Sequence, residues 1–160
     1  MNAAFTIGRI ALVVIFIISG ASKFLDITGT AEAIQAKLVI PSALSDATSQ
    51  IEATLNMPIS QVLAIIVALI EVIGGLLIAF NVLTRTMAVI LLLFTAVVTI
   101  TFHDFWNLAA GPDRTNQMTH AMKNLSIMGA LLMLAALPRR PVIVDVPTHE
   151  RVADDRVEPL

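Results

Sequence analysis

The feature that most constrains the fold of this chain is a series of apolar runs long enough to cross a membrane. The longest is about residues 61–83, and within it residues 64–80 read AIIVALIEVIGGLLIAF, with Glu71 as the one charged side chain. Two other runs cover about residues 7–25 and 86–102. A helix of about 20 apolar residues matches the thickness of the hydrocarbon core of a bilayer. We therefore predict an integral membrane protein.

A fourth run is predominantly apolar only over residues 125–137, which is too short to span a bilayer. Extended back to Met118, it reaches the required length and takes in His120, Lys123 and Asn124. Each run should be helical, because backbone exposed to lipid must satisfy its own hydrogen bonds, and the alternating pattern of a membrane β-barrel is absent from the sequence. The sequence thus predicts an all-α fold, an integral membrane four-helix bundle.

The connections between the runs differ in length. Only Thr84 and Arg85 separate the second run from the third, so these two spans should form an antiparallel hairpin. A polar-leaning segment, residues 26–60, separates the first two spans, and we predict that it is a capping loop over one end of the bundle. Within this loop the pattern favours two short helices, residues 28–37 with Thr28 as the N-cap and residues 45–55.

Two parts of the chain are expected: a transmembrane domain of residues 1–137 and a polar C-terminal tail of residues 138–160. The tail is acidic and contains prolines, so we expect it to be poorly ordered or extended. The small residues 19–22 resemble a signal-peptide cleavage site. Only one charge precedes the apolar run, however, and the run continues into a charged helical turn. We therefore predict that the first span is retained.

The positions of lysine and arginine near the ends of the runs predict the orientation in the membrane. One side would carry Arg9, Arg85, Arg139 and Arg140. The other would carry Lys23, Lys37, Arg114 and Lys123, together with several acidic residues that offset their charge. The arginine-rich side favours the cytoplasm, which predicts a multi-pass protein of the cell membrane with both termini cytoplasmic.

Composition removes several classes of function. The chain has no cysteine, which excludes thiol chemistry, a thiolate metal site and a cysteine-bound iron–sulfur cluster. No basic run suggests a nucleic-acid partner. The sequence shows no redox centre of its own, so whether the chain takes part in catalysis is left open.

Glu71 lies on a helical face of small residues, at steps of three or four. They are Ala64, Ala68, Gly75 and Ala79. Small residues let another helix backbone approach closely, so this face should be packed against protein. A charge at mid-membrane costs ~2.5–3.5 kcal/mol on insertion scales. We therefore expect Glu71 to be protonated or paired, with Lys123 or Lys23 as its partner.

The antiparallel order gathers further polar side chains in the predicted non-cytoplasmic half. Together they form a candidate ligand-binding or polar cluster, made of Lys23, Glu71, His103, His120, Lys123 and Asn124. Each has a plainer alternative. Glu71 is either a structural group or a proton acceptor, the lysines snorkel to the surface or join the cluster, and the histidines form hydrogen bonds or ligate haem. We favour hydrogen bonding for the histidines, and predict no metal site, no covalent cofactor and no catalytic residue.

A set of motifs in fixed order resembles the DoxX family of membrane proteins. These are Arg9, GASKF at 20–24, EVIGG at 71–75, Thr84-Arg85, FHDFW at 102–106, and Gln117 followed by KNLSIMG at 123–129. The resemblance covers about residues 8–137, and residues 42–57 look longer than the usual family loop. It implies a four-helix membrane protein, and for some members an association with quinone-linked oxidation.

Three functional classes remain open. We favour an accessory subunit of a quinone-linked respiratory or oxidoreductase complex, which binds a quinone or lipid-like ligand while a partner supplies electrons. The alternatives are a structural or assembly subunit of a larger membrane complex and a transporter of small solutes. The expected partners are the lipid bilayer and either other membrane subunits or further copies of the chain.

Overall fold

The computed structural model describes residues 3–137, and these form helices and turns without a strand. Six α-helices follow one another in this part of the chain. They are α1 (Ala3–Leu25), α2 (Ile27–Lys37), α3 (Ser45–Leu55), α4 (Ile59–Ala79), α5 (Thr84–Phe102) and α6 (Pro112–Ala136). Short 3₁₀ turns lie at Ser42–Leu44 and Phe105–Asn107. The predicted tail and its arginines lie outside the described residues. The all-α prediction is confirmed for the part described.

Within residues 3–137, three segments are long and apolar enough to cross a membrane. They are Ala3–Leu25, Ile59–Ala79 and Thr84–Asn107. The helix α6 has 25 residues, but it is not among them. Its first half carries polar side chains, including His120, Lys123 and Asn124, and is less apolar than the other segments. Residues 3–137 are therefore all-helical with three segments of spanning length, and the crossing by α6 stays a prediction.

The loop after α1 contains the two short helices that were predicted, with one correction. The helix α3 has the predicted bounds, Ser45–Leu55. The helix α2 begins at Ile27, and its N-cap is Asp26 rather than Thr28. The Asp26 carboxylate accepts a hydrogen bond from the backbone N–H of Gly29 at 2.9 Å. A carboxylate suits this position because it accepts from an otherwise unpaired amide and opposes the positive end of the helix dipole.

The apolar core lies at the end of the bundle where α1 begins and α4 ends. Its buried members come from four helices and are Val13, Phe16, Ile78, Ala88, Leu91, Leu131 and Leu134. The helix α1 packs on α4, α4 on α5, and α5 on α6. A smaller cluster of Ala31, Ile34 and Ala64 attaches α2 to α4 at the opposite end. One half of the bundle is thus filled by apolar side chains.

A buried arginine closes this filled end. Arg9 is 5% exposed, and its guanidinium donates to the side-chain oxygen of Asn81 and to the carbonyl of Ala79. Asn81 also accepts from the Thr84 hydroxyl at 3.2 Å. Asn81 and Leu83 have positive φ, which breaks the helix, so the second span ends at Ala79 and not at residue 83. Arg9 therefore joins α1 to the α4–α5 turn.

Two glycines set the distance between α1 and α4. A Cβ at Gly20 would lie 2.8 Å from the backbone oxygen of Ala68 and 2.9 Å from the Cβ of Glu71. A Cβ at Gly75 would lie 2.7 Å from the Cγ1 of Ile17. These distances are too short for a side chain, so the crossing requires glycine at both positions. The prediction that the small face of α4 is a helix contact is confirmed.

Candidate functional site

The close crossing of α1 and α4 brings an ion pair into the bundle. The Nζ of Lys23 lies 2.6 Å from the Oε2 of Glu71. The Glu71 side chain is 6% exposed and the Lys23 side chain 25% exposed. Because one end of the pair is nearly enclosed, removal of either charge would leave the other poorly solvated. The opposite charge that Glu71 requires is therefore provided by Lys23.

Ser19 completes a small hydrogen-bond network with this pair. Its hydroxyl donates to the Oε1 of Glu71 at 3.1 Å and accepts from the Nζ of Lys23 at 2.6 Å. Ser19 stands one helical turn before Lys23, which places both side chains on the same face of α1. Both Glu71 oxygens thus have donors from α1.

A second polar group lies on α6 and at the end of α5, where His103 is the C-cap. The rings of His103 and His120 stack with their centroids 5.2 Å apart and an interplanar angle of 11°. The Nδ1 of His103 lies 2.7 Å from the Oε1 of Gln117, and since this oxygen can only accept, His103 donates. The Nε2 of His103 is then the nitrogen that is left for a ligand. Asn124 donates to the Thr99 hydroxyl at 2.9 Å.

The two polar groups line one cavity, whose volume is about 600 Å³. It lies in the half of the bundle away from the apolar core. Its polar lining includes Ser19, Lys23, Glu71, Thr95, His103, His120 and Asn124. Its apolar lining includes Ile15, Phe16, Val67, Phe94, Val98, Phe102 and Ile127. This volume suits a small organic molecule, and the mixed lining suits one with a polar head and an apolar body.

The helix α2 forms one wall of this cavity. Asp26, Gly29, Thr30, Ala33 and Ile34 all line it. An ion pair at the surface, with 3.3 Å between the Nζ of Lys37 and the Oδ1 of Asp104, joins the end of α2 to the segment after α5. The predicted capping loop thus contributes directly to the lining.

Five of the six residues in the predicted cluster line the cavity, and one does not. Lys23, Glu71, His103, His120 and Asn124 are lining residues. Lys123 is exposed and is not a lining residue. Lys123 and Asn124 follow His120 by three and four positions on α6, so they lie on opposite sides of it around the helix axis. Asn124 is on the side that faces the cavity. The role of this cluster in ligand binding stays a prediction.

Sequence reasoning missed Ser19, Gln117 and the α2 wall. The spacing of Ser19 and Lys23 at one helical turn was an available signal for the first. Gln117 entered the sequence analysis only as part of a motif, because its partner, His103, comes from the end of a different helix. Within residues 3–137, no three histidine, aspartate or glutamate side chains are grouped to hold a metal ion.

Three apolar segments of spanning length and a largely enclosed ion pair between two of them define a small integral membrane protein. The DoxX family model matches residues 4–104. The chain therefore belongs to the DoxX family. The matched region ends at Asp104, short of the range of about 8–137 over which the motifs resemble the family, so α6 lies outside it.

A curated relative extends the similarity beyond that region. The chain is 33% identical over 132 residues to the inner membrane protein YphA of Escherichia coli (strain K12), an alignment that covers 81% of this chain and 79% of the relative. No solved structure matches this chain.

Proposed function

We propose that this protein is an accessory subunit of a quinone-linked oxidoreductase complex in the cell membrane and binds a quinone head group in the cavity. The observation that carries the proposal is the position of the Lys23–Glu71 pair and the two histidines on the walls of one cavity within an apolar bundle. A bundle that required only structural pairing would not need four ionisable groups around an unfilled volume.

A quinone offers what these walls can recognise. Its carbonyl oxygens accept hydrogen bonds, and the Nζ of Lys23 and a ring N–H of His120 are suitable donors, while the Nε2 of His103 can accept from the hydroxyl of the reduced form. Glu71, held by Lys23 and Ser19, is placed to exchange a proton with the reduced hydroxyl form. The aromatic and branched side chains Phe16, Phe94 and Val98 offer an apolar surface to the ring. Electrons would come from a partner protein.

Titration of the purified protein with a short-chain quinone tests this proposal. The chain contains one tryptophan, Trp106, three positions after His103, and its emission should be quenched saturably by the quinone. Lys23→Met should weaken binding about 10-fold to 100-fold, because a hydrogen bond from a charged donor contributes ~1.5–3 kcal/mol. Lys123→Met is the matched control, since Lys123 is exposed outside the cavity, and it should bind normally.

A second pair of variants separates loss of the cavity from loss of the ion pair. Val98→Phe should fill the cavity and abolish binding while leaving Lys23 and Glu71 in place, because Val98 lines the wall. Val97→Phe adds the same bulk to a side chain that is 64% exposed, and should bind normally. Non-saturable quenching by the unmodified protein, with no quinone extracted from a native preparation, would overturn the proposal. A complex that co-purifies without quinone would support an assembly role instead.

We also propose that α6 crosses the membrane, so that four spans place both termini in the cytoplasm. The support is the length of α6, its packing against α5, and the buried leucines Leu131 and Leu134 in its apolar half. Reporter fusions after Arg85 and after Arg140 should both report the cytoplasm, and a fusion after Asp113 the opposite side. Opposite reports from Arg85 and Arg140 would mean that the chain crosses only once between them.

A further inference from the structure

The helix α3 is amphipathic, and its apolar face is open. Leu44, just before the helix, and Ile51 and Leu55 within it recur at helical spacing and are 52%, 40% and 50% exposed. Asp46 and Ala53 lie on the opposite face. No residue of α3 is buried, and the helix packs only lightly against α4. The apolar face therefore requires an environment other than the described part of the bundle.

The position of α3 along the bundle is fixed by its attachment to α4. The Oε1 of Glu52 accepts a hydrogen bond at 2.7 Å from the backbone N–H of Ile59, the first residue of α4. Asn56, at φ 50°, turns the chain between the two helices. Since α4 has spanning length, its first residue lies near the boundary between water and hydrocarbon. The helix α3 must then lie at the same level.

Two neighbouring features mark this end of the bundle as a membrane surface. Trp106 follows the end of α5, which is the end adjacent to the start of α4, and it is 50% exposed. Tryptophan is enriched at the level of the lipid head groups. Leu38 and Val39, in the connection before α3, are 44% and 88% exposed. The apolar face of α3 therefore lies at the end of the bundle that also carries these exposed apolar side chains.

We propose that α3 is a membrane-surface helix whose apolar face, Leu44, Ile51 and Leu55, inserts among the lipids at the boundary between head groups and acyl chains. The inference goes beyond the quinone proposal and does not depend on it. The charged residues of α3, Asp46 and Glu52, are both acidic. The helix offers no cation to anionic lipids, so its attachment rests on apolar area and should not require them.

Single-cysteine labelling tests the orientation of α3 directly, because the chain has no cysteine of its own. Ile51→Cys places an environment-sensitive fluorophore on the apolar face, and Ala53→Cys places it two residues away on the opposite face. Both full-length proteins are reconstituted in phosphatidylcholine vesicles. The label at position 51 should emit at shorter wavelength, lose intensity with nitroxide-labelled lipids and resist iodide. The label at position 53 should behave in the opposite way.

Three outcomes would overturn the proposal. Equal quenching of the two labels by iodide would place both faces in water. Protection of the position 51 label from both quenchers would mean that protein, a second copy or another subunit, covers the face. If lipids quench the label only when anionic phosphatidylglycerol is added, the attachment of α3 to the membrane would depend on charge and not on its apolar face. Leu55→Cys repeats the measurement on the same face, so the test does not depend on the folding of one variant.

Discussion

Glu71→Gln should destabilise the protein by about 3 kcal/mol, the lower end of the cost of breaking a buried ion pair. The glutamine keeps the size of the side chain and can still accept from Ser19, but it removes the negative charge beside Lys23. The Lys23 ammonium then loses its counter-ion. Because the Lys23 side chain is 25% exposed, water can partly solvate the charge, so the expected loss of stability lies at the lower end of the range. The free energy of unfolding in detergent micelles, from chemical denaturation followed by circular dichroism, measures the change.

The double variant Lys23→Met/Glu71→Gln distinguishes lost pairing from lost packing. It removes both charges and should recover much of the stability that Glu71→Gln loses, because no ion is left without a partner. Lys123→Met removes an exposed lysine outside the cavity and should leave the stability unchanged. If Glu71→Gln proved as stable as the unmodified protein, Glu71 would be a neutral hydrogen-bonded acid and the charged pair would be wrong.

Gly20→Ala should have a comparable or larger effect, a loss of about 3 kcal/mol, the upper part of the usual range for overpacking. The added methyl would meet the backbone oxygen of Ala68 at 2.8 Å and the Cβ of Glu71 at 2.9 Å. Neither atom can turn away as a flexible side-chain end could, so α1 and α4 must separate. This separation would also stretch the Lys23–Glu71 contact, and thermal unfolding should begin at a lower temperature.

Gly8→Ala is the matched control in the same helix. A Cβ at Gly8 would meet no atom within 4 Å, so alanine there should be neutral or should stabilise by about 0.5–1 kcal/mol through its higher helix propensity. The two substitutions have the same chemistry and differ only in their surroundings. A melting temperature that changed equally in both would show that the crossing of α1 and α4 is not tight at Gly20.

The sequence was sufficient where a single physical constraint acted on a continuous segment. The apolar runs predicted α1, α4 and α5 because a single run of membrane length satisfies its own backbone hydrogen bonds only as a helix. The small residues beside Glu71 predicted the packed face of α4, since the small side chains of Ala68 and Gly75 allow another helix backbone to approach closely. The polar pattern of residues 45–55 was enough for α3. Each of these predictions depended on local periodicity alone.

The candidate site was harder to predict because its contacts join different helices. Lys23 and Lys123 were equivalent on sequence grounds as partners of Glu71, and only the crossing at Gly20 brings Lys23 within 2.6 Å. Lys123 sits at the edge of the polar face of α6, and a few tens of degrees of helix rotation decide whether it faces the cavity. The His103–Gln117 contact depends on the path of the α5–α6 connection, which periodicity does not specify.

The unequal filling of the two ends of the bundle has a consequence for sidedness. Apolar side chains and the Arg9–Asn81 contact fill one end of the bundle. The cavity lined by Glu71, Lys23 and the two histidines occupies the other end. Any proton taken up or released in the cavity would therefore be exchanged with the aqueous compartment on that side of the membrane. A bound carrier that takes up protons on reduction and releases them on oxidation would then do both on the same face of the membrane. Within residues 3–137, the apolar side chains at the other end lie between the cavity and the opposite face of the membrane.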